Sequence, residues 1–325
     1  MKPIVYGLLA SFFFAFTFIF NRAMEIEGGS WMWSASLRYI FMVPILWAVV
    51  GYRGGVTSLV REMRQHPFPW FLWSFVGFVL FYAPLTFAAS FGPGWLIAST
   101  WQLVIIAGIL LTPLFYKLVE TASGPVLIRE KLPVKGLLMS SIILLGVIFM
   151  QIEHAESLSF LTAVGCVATV MVAAFAYPLG NRKMMEMCGE RLDAFQRTFG
   201  MTLATFPFWL ILAGCGYVTE GAPSASQMIQ SLIVAVSAGL IATVLFFWAT
   251  DMVKANQQKL AAVEATQAGA VIFTLAGEVW FLSTPLPSFL SWMGIILVMS
   301  GMVLHSFLSR QKEEKIKTET KELTF

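Results

Sequence analysis

Apolar residues in this chain gather into long runs separated by short polar segments. Crossing the hydrocarbon core of a bilayer takes about 20 residues of helix. Runs of that order fall at 4–21, 31–51, 69–90, 95–116, 134–152, 160–180, 192–217, 230–250, 259–282 and 288–309. The pattern predicts an all-α integral membrane protein of ten spans. The narrowest separation is FGPG (91–94), where Gly and Pro interrupt the helix between the third and fourth spans.

Composition sharpens this picture. Of the 325 residues 58% are hydrophobic and 12% charged, and the mean hydropathy is +0.77. A soluble domain carries about 25% charged residues, so a soluble reading is excluded. The first run, 4–20, leads through a polar turn into another span and reads as a retained helix rather than a cleaved signal.

The placement of charge sets the expected orientation. With both termini cytoplasmic, the cytoplasmic segments hold 18 of the 21 Lys and Arg residues, and the external loops hold only Arg22. External acids are Glu25, Glu27, Glu153, Glu156 and Glu220, while Arg38 and Arg197 fall inside spans. This is the positive-inside distribution. The charged segment 310–325 reads as a solvated cytoplasmic tail.

Self-similarity divides the spans into two sets of five. FNRAM (20–24) and GNRKM (180–184) each close a first span, and the next span carries Arg38 or Arg197. WLIASTWQ (95–102) matches LAAVEATQ (260–267), and eleven residues beyond each glutamine stand Pro113 and Glu278. With five spans per set the second copy is inverted in the membrane, so the expected units are residues 1–156, 157–309 and the tail 310–325. Inverted-topology repeats suit a carrier in which one half rocks against the other around a central site.

Several stretches carry a family likeness: GGSWMWSASLRY (28–39), FYAPLTFAASFGPGWLIASTWQ (81–102), AFAYPLGNRKMME (174–186), FQRTFGMTLATFPFW (195–209), ATVLFFWATD (242–251) and KLAAVEATQ (259–267). On these residues the chain resembles the drug/metabolite transporter superfamily. Within it, the likeness is to ten-helix members with paired EamA-like halves, and most to the family named "putative multidrug resistance efflux transporter". The resemblance implies a cavity lined by helices of both halves, the fourth and ninth spans among them, and alternating access. Small four-helix relatives exchange protons through a glutamate in the first helix. The first span here, VYGLLASFFFAFTFIF, holds no acid, so any coupling carboxylate lies elsewhere.

Candidate residues follow from the cost of polar groups in a bilayer, roughly 2.5–3.5 kcal/mol for a charge at the centre of a span on translocon scales. Glu264, Gln267, Val271, Thr274 and Glu278 share one face of the ninth span. Glu264 is either one member of an ion pair, with Lys259 or an intramembrane arginine, or a proton- or cation-binding group; Glu278 reads as structural. The counterpart of Glu264 in the first set is Ser99, which makes that acid an asymmetric addition. Arg38 and Arg197 are expected to pair structurally or to bind an anionic group. Arg22 and Arg182 read as interfacial anchors, and Asn21 and Asn181 as partners of helix-end backbone groups. Trp95 and Trp101 flank Ser99 and Gln102, where aromatic faces suit flat or cationic ligands. Pro44, Pro84, Pro113, Pro178 and Pro207 are expected kinks.

The three cysteines show neither disulfide nor metal spacing, and no phosphate loop or HExxH pair is present. No catalytic residue, metal or cofactor is therefore expected. The expectation is a multi-pass carrier of the cell membrane that exports small organic compounds, cationic or aromatic drugs among them, and exchanges them for protons. A metabolite uptake or exchange carrier, for an amino acid or nucleoside-like compound, is the alternative. Its partners are lipid, substrate and protons but not nucleic acid; a monomer is the default, with a dimer as the alternative.

Overall fold

A computed structural model describes residues 2–121, 124–132, 134–155, 160–301 and 303–304. The tail 310–325, Glu156 and the boundary expected between the two halves lie outside the described residues.

The described chain is built almost wholly of helices. In order these are α1 (Lys2–Ile26), α2 (Trp31–Tyr52), the short α3 (Val56–Gln65), α4 (Pro67–Ala89), α5 (Gly94–Leu110), α6 (Val134–Ala155), α7 (Phe160–Cys188), α8 (Ala194–Glu220), α9 (Ala225–Asp251), α10 (Lys259–Phe281) and α11 (Phe289–Gly301). Seven of them (α1, α2, α4, α7, α8, α9 and α10) are long and apolar enough to cross a membrane. The apolar stretches Gly94–Leu110, Ser140–Met150 and Phe289–Gly301 are shorter. Seven of the predicted runs thus coincide with helices long enough to span, the other three overlap shorter apolar helices, and α3 was not anticipated. Only Leu59 of α3 is buried, and its Glu62 and Arg191 pair at 2.8 Å.

A second departure follows the fourth run. The helix stops at Leu110 and gives way to a 3-10 turn holding Pro113, then to an antiparallel hairpin of β1 (Tyr116–Thr121) and β2 (Gly124–Arg129). Pro113 therefore ends a helix, while Pro44, Pro84, Pro178 and Pro207 lie inside helices.

Local irregularities recur at matching places. Helix α4 contains a π-helical stretch at Phe75–Val79, and α9 contains one at Ala235–Ala242; the predicted repeat would pair these two helices. The stretch in α4 brings Gly77 against Gly180 of α7, where a side chain on Gly180 would collide with the Gly77 backbone. Helices α5 and α10 are also interrupted, α5 at Trp101–Gln102 and α10 by a 3-10 turn at Thr266–Ala268. Both breaks fall on the glutamines that the sequence match pairs, Gln102 and Gln267.

These two broken helices occupy the middle of the bundle. Gly94 of α5 lies against Glu278 of α10 and Gly108 of α5 against Glu264, so the two run antiparallel and cross near their breaks. Helix α1 runs alongside α10 in the same direction, with Gly7 against Thr266 and Gly269 against Ser11. The core between them is strongly aromatic and includes Phe14, Tyr39, Tyr82, Trp101, Tyr177, Trp209 and Phe246.

Candidate functional site

The polar face predicted for α10 is buried throughout: Glu264, Gln267, Val271, Thr274 and Glu278 are each at most 2% exposed. The two acids on it have found different partners, one at each end of α5.

Glu278 reaches the start of α5. Its two carboxylate oxygens accept hydrogen bonds from the backbone N–H groups of Gly94 (2.7 Å) and Trp95 (3.0 Å). The first N–H groups of a helix have no partner within it, and the helix dipole places partial positive charge there. A carboxylate satisfies both demands. Position 94 has to be glycine for this approach, since a Cβ there would sit 2.7 Å from Glu278 Oε1 and 2.6 Å from the Phe18 carbonyl oxygen. Arg22 of α1 acts electrostatically on the same carboxylate.

Glu264 lies at the other end. Its oxygens accept from Arg182 Nε (3.0 Å) and Nη2 (2.7 Å), a two-pronged pair with both side chains at most 3% exposed. The remaining nitrogen, Nη1, donates to the Gly108 carbonyl oxygen at 2.8 Å, one of the last carbonyls of α5. Glycine is again required, because a Cβ at 108 would run into the Glu264 carboxylate. Phe115, just before the hairpin, covers this cluster with its ring 5.6 Å from the Arg182 guanidinium and 4.8 Å from Lys183 Nζ. The partner of Glu264 is thus Arg182 rather than Lys259. Arg182, read from the sequence as an interfacial anchor, is 2% exposed and belongs to this buried pair.

Helix α5 is therefore held at its N-terminus by an anion and at its C-terminus by a cation, both from helices beyond residue 160. Each charge complements the dipole of α5. The opposing cap at the start of α10 is neutral, with Asn256 accepting from the Lys259 N–H at 3.0 Å.

Between the two clamps lies a small chamber lined by Phe14, Thr17, Phe18, Phe81, Leu85, Trp101, Tyr177 and Gln267. It has room for about one water molecule, so the site is closed to anything larger. Tyr177 is its hub, with ring centroids 4.5 Å from Phe81, 5.7 Å from Trp101, 5.6 Å from Phe246 and 6.3 Å from Phe14. Polar atoms at or near this chamber lack partners among the described residues: Thr17 Oγ1, Tyr177 OH, Gln102 Oε1 and Gln267 Nε2. Gln102 Nε2 donates to Ala98 O at 2.7 Å and more weakly to Gln267 O at 3.4 Å across the crossing.

Other candidates are dispersed around this centre. Trp101 and Gln267 line the chamber, whereas Trp95 contributes its backbone N–H to Glu278. Ser99 is buried and spends its hydroxyl on the Trp95 carbonyl at 2.7 Å. Asn21 meets the Tyr82 hydroxyl at 3.4 Å, and Asn181 is buried without a side-chain partner. Neither asparagine caps helix-end backbone groups, contrary to the sequence expectation, because each lies inside a helix, Asn21 in α1 and Asn181 in α7.

The two arginines inside spans sit over aromatic rings at matched positions. Arg38 stands 4.0 Å above the Tyr82 ring, and Arg197 4.4 Å above that of Phe247. Such contacts contribute about 0.5–2 kcal/mol each. Arg197 also pairs with Asp251 at 2.8 Å, while among the described residues Arg38 makes one hydrogen bond, at 3.2 Å from Nη2 to the Ala238 carbonyl oxygen. Residues that sequence reasoning passed over include Phe14, Thr17, Phe81, Tyr177, Phe246 and Asp251. A signal for some of them was present: LFYAPLT (80–86) and LFFWATD (245–251) share the 165-residue offset of Gln102 and Gln267.

Comparison with known proteins places this geometry in context. Residues 1–311 match the model of a family described as "Putative multidrug resistance efflux transporter". An uncharacterized protein of Bacillus subtilis (strain 168), YjlA, is 60% identical over 320 residues, covering 98% of this chain and 99% of that protein. An uncharacterized 42.1 kDa protein of Shouchella clausii is 51% identical over 269 residues, covering 83% and 70% of the two. One solved crystal structure, 13% identical, superposes with a TM-score of 0.66 over 96% of this chain and 98% of that one, a likeness of fold.

Proposed function

Because the chain belongs to the putative multidrug resistance efflux transporter family, within the drug/metabolite transporters, we propose that it is a secondary carrier exporting small organic compounds across the cell membrane by alternating access, in exchange for protons. Family membership supports transport rather than catalysis, and the direction of transport rests on that membership. The observation that carries the mechanism is the crossing of two interrupted helices, α5 and α10, beside a closed aromatic chamber. Interrupted helices meeting at the middle of two inverted halves are a recurrent way of building a carrier site.

In this reading all ten runs span the membrane, in two inverted sets of five with both termini in the cytoplasm. The clamp on Gly108 then closes the cytoplasmic side and the clamp on Gly94 the external side. The chamber between them is an occluded intermediate.

Proton coupling is assigned to Glu278 rather than Glu264. Protonation removes the charge and turns one oxygen of Glu278 into an O–H donor, so its hold on the Gly94 and Trp95 N–H groups weakens. The bond from the C-terminal helices to α5 is loosened by a single proton. Glu264 is held as the anion by two hydrogen bonds from an arginine that stays charged. It serves to fix Arg182 on Gly108.

The test is reconstitution of the full chain in proteoliposomes. An imposed inward proton gradient should drive export of a carried compound, and the compound's own gradient should move protons in reverse. Substrate movement that is indifferent to the gradient, with no proton movement, would remove antiport from the account and leave a uniporter.

A further inference from the structure

We propose that Arg38 is the anion-recognising residue of the central site, and that the compounds carried are small organic carboxylates with an aromatic or apolar body. This rests on the carrier reading and names its substrate class.

The argument begins with a charge that has no counter-charge. Arg38 lies within α2 and is 1% exposed. A guanidinium does not lose its proton in a protein, so the charge is permanent. Each of the other two fully buried arginines has a carboxylate: Arg182 has Glu264 and Arg197 has Asp251. Arg38 forms no ion pair among the described residues, and its Nε and Nη1 have no hydrogen-bond partner. Its one acceptor, Ala238 O, lies in the π-helical stretch of α9 and is shared with the Thr243 hydroxyl at 3.0 Å.

The sequence match shows where the counter-charge went. Asp251 closes LFFWATD, and the residue in the same place in LFYAPLT is Thr86. Thr86 turns its hydroxyl back onto the carbonyls of Tyr82 and Ala83. One arginine of the pair keeps an internal acid, and the other has a neutral residue where that acid would stand.

This uncompensated cation stands next to the chamber wall. It stacks on Tyr82, which follows the lining residue Phe81. The lining residue Tyr177 lies within the electrostatic reach of Arg38. The unpartnered hydroxyls of Tyr177 and Thr17 supply neutral donors to an incoming carboxylate. A cationic compound finds no such welcome. The lining contains no acid, and Glu264 and Glu278 are engaged by Arg182 and by the start of α5. The aromatic rings that sequence reasoning linked to flat or cationic ligands here form the walls for an apolar body.

Matched probes of opposite charge separate these cases. Purified full-length protein in lipid nanodiscs is heated with benzoate or benzylammonium, with indole-3-acetate or tryptamine, and with chloride alone at equal ionic strength. The carboxylates should raise the melting temperature in a saturable way, and the amines and chloride should not. Arg38→Met should lower carboxylate affinity at least tenfold. The unliganded variant should melt no lower than wild type, since it loses an unpaired buried charge. If Arg38→Met does not fold, Thr86→Asp supplies the absent counter-charge and should abolish carboxylate binding in a stable protein. Stabilisation by amines alone, by chloride as strongly as by benzoate, or by no probe overturns the proposal, as does unchanged carboxylate affinity in both variants. Flux of the same probes in proteoliposomes reads the carrier claim separately. Amines that move while carboxylates neither bind nor move leave a carrier with a different substrate, whereas carboxylates that bind without any flux remove the carrier.

Discussion

At the start of α5 a lone carboxylate, Glu278, accepts two backbone hydrogen bonds, whereas at its end Arg182 donates to Gly108 while gripped in turn by Glu264. Both ends are held from the C-terminal helices, and both contacts complement the helix dipole. The holding groups differ in what releases them. In the proposed mechanism a proton suffices at the Glu278 end. The Arg182 end carries two opposite charges, and separating them leaves each buried without a partner. The comparison teaches that two clamps of similar geometry can have unequal thresholds, which a carrier needs if its two sides are to open in turn.

The largest effect should come from breaking the charged pair on one side only. Glu264→Leu leaves Arg182 buried and unpaired, a loss of about 3–5 kcal/mol. Thermal unfolding followed by size-exclusion chromatography should show a collapse of folded protein. The double variant Arg182→Met with Glu264→Leu should recover much of that loss, and equal damage in the double and the single variants would show that the pair is not a self-contained unit.

Gly108→Ala probes the same end more gently. Its Cβ meets the Glu264 carboxylate and lies 3.3 Å from Arg182 Nη2. A loss of about 1–3 kcal/mol is expected from overpacking, together with slowed transport. The same experiment at wild-type stability would mean that the helix is not pressed against the pair.

Glu278→Gln tests the other end. An amide keeps one oxygen to accept with but gives up the charge, so about 1–2 kcal/mol should be lost, on the scale of a hydrogen bond to a charged group. Transport should lose its pH dependence while the protein stays folded. A retained pH dependence would move the proton site away from Glu278. The smallest change is expected for Asn256→Ala, where loss of a neutral cap on α10 removes about 1 kcal/mol and leaves the pH dependence intact.

How much of this was visible beforehand depended on the range of the interaction. The long helices were legible because each needs only a continuous apolar run, and seven of the ten runs coincide with helices long enough to span. The breaks at Gln102 and Gln267 were marked by the repeat, but nothing local distinguishes a 3-10 turn in TQA from a continuing helix. Burial of the α10 stripe followed from the cost of exposing carboxylates to lipid. The choice of partners did not follow. Lys259 is nearer to Glu264 in sequence than Arg182 is, yet a neighbour on the same helix cannot compete with a guanidinium brought in from α7 and shaped to bind both oxygens. Likewise nothing local named the partners of Glu278, which are backbone N–H groups 184 and 183 residues away. Sequence patterns record side chains, so a site completed by main-chain atoms leaves glycine as its main trace. Gly94 and Gly108 were that trace. The hairpin at Tyr116–Arg129 was missed because the apolar run before it reads on past Pro113 as helix.

Amide hydrogen exchange at Gly94 and Trp95, measured in nanodiscs across a pH series and corrected for the intrinsic rate, tests the Glu278 clamp most directly. Wild-type protein should protect both amides at high pH and lose that protection as pH falls through the titration of Glu278. Glu278→Gln should be weakly protected at every pH. Equal protection of both amides in the two proteins, unchanged by pH, would contradict the assignment of Glu278 as the proton-released clamp on α5.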